Sequence, residues 1–160
     1  MKQKLLDLIK KHEGFRGQPY FDSVGKLTVG YGRNITDIGF SDEEIKLLNL
    51  DFGRSLTVDP LLEEEAEFLL KNDIKIAEAE SIKLISNFNN LNEARQAVIV
   101  NMMFNLGFCR LSKFKKTLSY IYKEEFEKAS VEMLDSKWSK QVKSRAIELS
   151  KMMRTGEFLC

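Results

Sequence analysis

The sequence predicts an α+β protein, mostly helical: a small lobe with a short antiparallel sheet, a long connecting helix and a larger helical lobe. Three observations carry this expectation. Strand-favouring Tyr20, Phe21, Leu27, Val29 and Tyr31 flank a turn at Ser23-Val24-Gly25-Lys26. Seven of the nine glycines fall within the first 53 residues, as suits a lobe built from tight turns. Beyond Asp59-Pro60, apolar residues recur at helical spacing for most of the remaining chain. The 160 residues can bury one substantial core, or two lobes joined by a helix.

In chain order, Leu5, Leu6, Leu8 and Ile9 recur among lysines at helical spacing, and Gly14 is placed to end that first helix in the left-handed conformation. The hairpin follows, and Arg33-Asn34-Ile35-Thr36 offers a third short strand. Asp37-Ile38-Gly39 turns the chain, and Ser41 with Glu44 forms a capping box for a short helix. Asp59 as N-cap with Pro60 in the first position predicts a long helix over residues 60–80, its start complemented by Glu63, Glu64 and Glu65. Asn92 to Gly107 reads as a buried central helix, followed by amphipathic segments at Phe114–Tyr122, Phe126–Leu134, Trp138–Gln141 and Arg145–Met153. The expected organisation is therefore one domain over residues 1–160, with a small lobe at 14–59, the connecting helix at 60–80, and a helical lobe at 81–160 that includes the helix at 1–13.

Composition excludes some classes of function. The apolar runs are too short to cross a bilayer, and Met1-Lys2-Gln3-Lys4 leads into an amphipathic helix, so a cytoplasmic protein without signal peptide is expected. Net charge is +1, unevenly spread: residues 1–80 hold 11 Lys and Arg against 16 Asp and Glu, residues 81–160 hold 14 against 8. A basic second half suits an anionic polymer, and an ordinary solvated surface fits it equally. There is no compact basic run of a nucleic-acid reader. Cys109 and Cys160 lack metal-ligand spacing and read as free thiols. No metal or cofactor is expected.

The chemistry-bearing residues lie in the first lobe. Glu13 sits at the negative end of the first helix, where the macrodipole disfavours its ionised form, as a general acid requires. With the hairpin centred near Gly25, Asp22 and Thr28 become cross-strand neighbours on one face. A carboxylate beside a hydroxyl can grip one water, the carboxylate taking its proton and the hydroxyl fixing its oxygen. An acid opposite such a pair could hydrolyse a glycosidic bond. On spacing alone, ordinary solvated turn carboxylates are the favoured reading, since such residues are common in turns. His12 neighbours Glu13, but adjacent helical residues do not face each other, which leaves it a solvent-facing or packing role.

The order Glu13-Gly14, then Tyr20-Phe21-Asp22, then Gly25-Lys26-Leu27-Thr28-Val29-Gly30-Tyr31-Gly32 resembles the bacteriophage-type lysozymes, the endolysin family that includes the T-even phage enzymes. The resemblance continues through Arg95, Asn101-Met102, Phe104, Gly107, Phe114, Ala129, Ser136, Trp138, Gln141, Arg145-Ala146 and Arg154-Thr155-Gly156, and is weakest between Phe40 and Ile85. It implies that Glu13, Asp22 and Thr28 are catalytic. It places Asn34, Phe104, Asn105, Thr117 and Glu132 at substrate-binding positions, although Asn34, Thr117 and Glu132 differ from the T-even residue types and Phe104 suits a core equally. It makes Arg145 an ion-pair partner of Glu13, an effect on the carboxyl opposite to that of the helix end. Gly32 is implied as a supporting residue. Arg33, where the T-even enzymes carry histidine, should pair with Asp73 in a contact less sensitive to mild pH change. Trp138 and the methionines read as core.

The implied reaction is hydrolysis of the β-1,4 bond between N-acetylmuramic acid and N-acetylglucosamine in peptidoglycan, with inversion, for host cell lysis. The implied partners are the glycan strands and a separate membrane-permeabilising holin, for a monomer with neither nucleic-acid partner nor stable membrane insertion. Two alternatives stand beside it: a lytic transglycosylase of the same fold, and a non-catalytic wall-binding protein.

Overall fold

The computed structural model describes residues 2–159. Cys160, one of the two expected free thiols, lies outside the described residues, whereas Cys109 is an exposed free thiol. The fold is α+β and mostly helical, with one small antiparallel sheet. Two compact units divide the chain: Leu6–Asp73, and the described residues of Met1–Leu5 with Ile74–Cys160. Among the described residues, no helix is long and apolar enough to cross a membrane.

Within Leu6–Asp73, α1 (Lys2–Glu13) contributes the part from Leu6 onward; the Gly14 amide closes its last helical bond to the Lys10 carbonyl at 2.9 Å, and the φ of 71° at Gly14 then turns the chain out of the helix. The sheet follows as β1 (Arg16–Phe21), β2 (Leu27–Gly30) and β3 (Arg33–Asn34), neighbours in chain order. β1 is irregular: between the pairs Arg16–Gly30 and Tyr20–Thr28, three of its residues oppose only Val29. Pro19 lies in that bulge and has no amide to give the ladder. The Gly17 carbonyl accepts instead from Leu61 at 3.0 Å. Next comes α2 (Asp42–Leu47), opened by the expected capping box of Ser41 and Glu44. Leu6, Ile9, Val29, Tyr31, Leu48, Leu61, Leu69 and Leu70 are among its buried core residues.

The long helix α3 runs over Glu63–Leu84, not 60–80 as the Asp59-Pro60 signal suggests. Arg54 explains the later start. Its guanidinium takes the Asp59 carboxylate at 3.2 Å and the carbonyls of Asp59 and Pro60 at 3.1 and 2.8 Å. With the Asp59 and Pro60 carbonyls held by Arg54, the helical ladder starts later, its first bond running from the Ala66 amide to the Leu62 carbonyl, while the Leu61 amide is given to Gly17. Glu65 serves the helix start instead, accepting from the Leu62 amide at 2.9 Å while Arg54 holds its carboxylate. At 22 residues α3 is about 33 Å long.

Arg33 organises the buried polar part of this unit. Its guanidinium meets Asp73 at 3.0 and 2.8 Å, as the sequence suggests, and also Glu44 at 2.6 and 2.9 Å, which the sequence reading did not foresee. The carbonyls of Gly39 and Leu69 use its remaining donor capacity. Glu44 further accepts from Asn72 and from the Ser41 amide. Burial would push Glu44 up, but these hydrogen bonds and the guanidinium charge hold its carboxyl down at about 2. Asp73 moves the other way, burial pushing it up against the pull of Arg33.

The two carboxyls therefore give opposite pH dependences. Glu44 contributes stability that is present above its unfolded value of 4.5 and lost as pH falls toward 2. Asp73, raised from 3.8, stabilises most when protonated, and that contribution fades as pH rises through its folded value. The thermal midpoint should fall as pH drops from 4.5 toward 2, and Glu44→Gln should flatten that part of the profile. Thermal unfolding in a pH series checks this; an unchanged slope in the variant would assign the acid sensitivity to other groups.

In the other unit, Asn92 caps α4 (Glu93–Leu106) by accepting from the Arg95 amide, and Gly107, at φ 77°, ends it. Ala94, Ala97, Val98, Ile99, Val100 and Met102 are among its buried residues, which makes α4 the central helix expected from its all-round apolar pattern. The short α5 (Phe108–Leu111) was not legible as a separate element. It is followed by α6 (Lys115–Tyr122), α7 (Phe126–Leu134), α8 (Lys137–Val142) and α9 (Ser144–Thr155). α9 packs on α4 and α7. Arg95 stacks 3.7 Å from the Phe126 ring centroid and donates to the carbonyls of Met153 and Arg154, tying the last turn of α9 to the first turn of α4. Trp138 is buried, edge-on to Phe114, with its indole N–H donated to Asn105 Oδ1 at 2.7 Å.

Candidate active site

Glu13 is the last residue of α1, half-buried, and its carboxylate rests against the backbone of Gly32. A Cβ at Gly32 would stand 2.8 Å from Glu13 Oε2, and the glycine's φ of 83° is one that a side chain would strain. Gly32 is thus glycine for two reasons, and both serve the placement of Glu13.

Asp22 and Thr28 meet through a single residue, Lys26. The Asp22 amide donates to the Lys26 carbonyl at 2.9 Å, and the Lys26 amide returns a bond to Asp22 Oδ1 at 2.8 Å. Thr28 Oγ1 donates to the same Lys26 carbonyl at 2.9 Å. Asp22 Oδ1 also accepts from Val24, and the Asp22 carbonyl accepts from Gly25, whose φ is 79°. These bonds build a three-residue hairpin loop with its left-handed residue at Gly25.

That loop corrects the register expected from the sequence. The hairpin is centred on Val24, so Thr28 lies directly opposite Tyr20, and Asp22 stands beyond the end of β1. Asp22 and Thr28 are diagonal neighbours on the same face rather than directly opposed. The cause is Asp22 itself, which grips two amides and closes the loop one residue earlier.

The other residues singled out by the sequence fall as follows. Asn34 lies in β3 with its side chain engaged by Asp37, through Nδ2 at 3.1 Å and Oδ1 at 2.9 Å. His12 is half-buried on α1. Phe104 and Asn105 are half-buried on α4, Asn105 holding Trp138. Thr117, buried on α6, and Glu132, half-buried on α7, line one pocket of about 600 Å³ with Phe114 and Trp138. Arg145 is buried at the start of α9 and donates to Asn101 Oδ1 at 2.9 Å. Sequence reasoning missed that amide anchor, and it missed Glu44 as the second carboxylate on Arg33. A signal for Glu44 did exist: a guanidinium carries five donors, more than one aspartate can satisfy.

Comparison with known proteins decides the family. The phage lysozyme family model matches residues 10–154. The chain belongs to the phage lysozyme family. With the family comes the enzyme class: it is a lysozyme-type glycoside hydrolase, with peptidoglycan as its substrate. Two similar proteins from Dictyostelium discoideum are named probable T4-type lysozyme 2 and probable T4-type lysozyme 1. They are 30% and 29% identical, each alignment covering 98% of this chain and 96% of the relative. The pre-baseplate central spike protein Gp5 of Enterobacteria phage T4 is 29% identical over 95% of this chain, which spans 28% of that larger protein. All three alignments cover nearly the whole of this lysozyme-family chain, including the glycine-rich hairpin.

Proposed function

We propose that this lysozyme-family enzyme cleaves the β-1,4 bond between N-acetylmuramic acid and N-acetylglucosamine by direct, inverting attack of water, and that it does so to lyse a host cell. The observation that carries the mechanism is the Lys26 link between Asp22 and Thr28. Because the Thr28 proton is committed to the Lys26 carbonyl, Thr28 can only accept from a water. Asp22 Oδ1 is occupied by two amides, and Oδ2 is the oxygen with no partner among the described residues. A water giving one proton to Thr28 and the other to Asp22 keeps its lone pairs free, one of them for the anomeric carbon. Asp22 takes the proton as the bond forms, and Glu13 protonates the departing glycosidic oxygen. An inverting pair of carboxyl groups leaves room for that water, roughly 6.5–9.5 Å apart in such enzymes.

Thr28→Ala should lower kcat about 100-fold with little change in KM, because it removes an orienting group rather than a contact to sugar. Steady-state kinetics on soluble glycan strands measures this, and unchanged turnover would remove Thr28 from the mechanism. In the same reading Asn34, Phe104, Asn105, Thr117 and Glu132 contact the substrate, a separate holin gives the monomeric enzyme access to the wall, and inversion distinguishes it from a transglycosylase. Mass spectrometry of muropeptides from purified sacculi tests the reaction: hydrolysis gives reducing ends, a transglycosylase gives anhydro ends, and a wall-binding protein gives none.

A further inference from the structure

Tyr20 has no part in the steps above, yet the register puts it directly opposite Thr28, with Asp22 two residues further along the same face. Its ring is half-buried, and the Arg16 guanidinium stacks over it at 3.9 Å from the centroid. Burial, with the charges of Glu13 and Asp22, pushes the phenol above its ordinary value of 10, so it stays a neutral donor. Tyr31 offers a contrast, giving its proton to Glu63 at 2.7 Å. Among the described residues no hydrogen bond takes the Tyr20 proton. A half-buried donor beside the reacting groups is thus left over after the protein has satisfied itself.

We propose that Tyr20 binds substrate at the reaction centre, its phenolic O–H donating to an oxygen of the saccharide under attack while the stacked Arg16 fixes the ring. The inference rests on the roles of Glu13, Asp22 and Thr28 given above. A donor aimed at the nucleophilic water would draw electron density from the atom that must attack, whereas a saccharide oxygen accepts without that cost. The acceptor in this proposal is therefore on the sugar, and a fixed sugar keeps the anomeric carbon in line between the acid and the water. Arg16 is a positioning residue in this arrangement, acting through the ring.

Tyr20→Phe removes the O–H and keeps the ring beneath Arg16. On soluble glycan strands its kcat/KM should fall about tenfold, the value of one well-made hydrogen bond. Its thermal midpoint and the two limbs of its pH profile should match the parent, since no protein partner is lost. An unchanged kcat/KM would overturn the proposal. So would a displaced pH limb, because the phenol would then be acting through a carboxyl group. Glu13→Gln run in parallel separates the two layers: an active Glu13→Gln removes the underlying mechanism, whereas an inactive one beside a fully active Tyr20→Phe removes only the role of Tyr20.

Discussion

Glu13→Gln should fold like the parent and lose about 10³-fold of its activity on sacculi. The amide has the shape of the carboxyl group and still fits against Gly32, where there is no Cβ to exclude it. It cannot give up a proton to a departing sugar oxygen, so the loss is chemical and not structural. Turbidity clearing of purified walls, with the thermal midpoint measured alongside, checks both halves. A variant that folds and still clears walls would mean that the leaving group is protonated from elsewhere.

The largest effect on stability is expected at Arg33. Arg33→Met leaves Glu44 and Asp73 facing each other without the cation that holds both, and Glu44 is almost fully buried. Breaking a buried ion network from one side costs about 3–5 kcal/mol, because the remaining charges stay desolvated and uncompensated. Adding Glu44→Gln to Arg33→Met should recover part of that loss, a coupling that a double-mutant cycle measures directly. Urea unfolding of the three proteins is sufficient. A single-variant loss under about 1 kcal/mol would make the network no stronger than an exposed pair. The consequence extends to the site: Arg33 pairs with Val29 in the sheet and follows Gly32, so the network anchors the strand beside which Glu13 lies.

Much of this was legible in the sequence because the decisive signals are local. Gly14 ending α1, the Ser41–Glu44 capping box, and Asn92 and Gly107 bounding α4 all depend on residues close in the chain. What was not legible came from contacts between distant segments. Asp59-Pro60 is a sound helix start in isolation, but Arg54 and Gly17 take its polar groups and delay α3 to Glu63. Glu44 reads completely as a capping residue until Arg33 is brought beside it. Asn105 is claimed by Trp138, and Arg145 by Asn101, across more than thirty residues of sequence in each case.

The hairpin register shows the same limit at shorter range. A turn centred on Gly25 and one centred on Val24 both suit the residue types, and only the two amides bound by Asp22 choose between them. The choice leaves Asp22 and Thr28 on one face but makes Tyr20 the direct partner of Thr28. An aromatic residue of the hairpin thereby sits beside the residues proposed to react, which spacing alone did not suggest.

The central claim is that a water held by Asp22 and Thr28 attacks the sugar on the face opposite Glu13. Early-time proton NMR of the newly formed reducing end, read before mutarotation, tests it most directly. The α-anomer appearing first is the predicted result. The β-anomer appearing first would mean retention of configuration, and would contradict single-step attack by water.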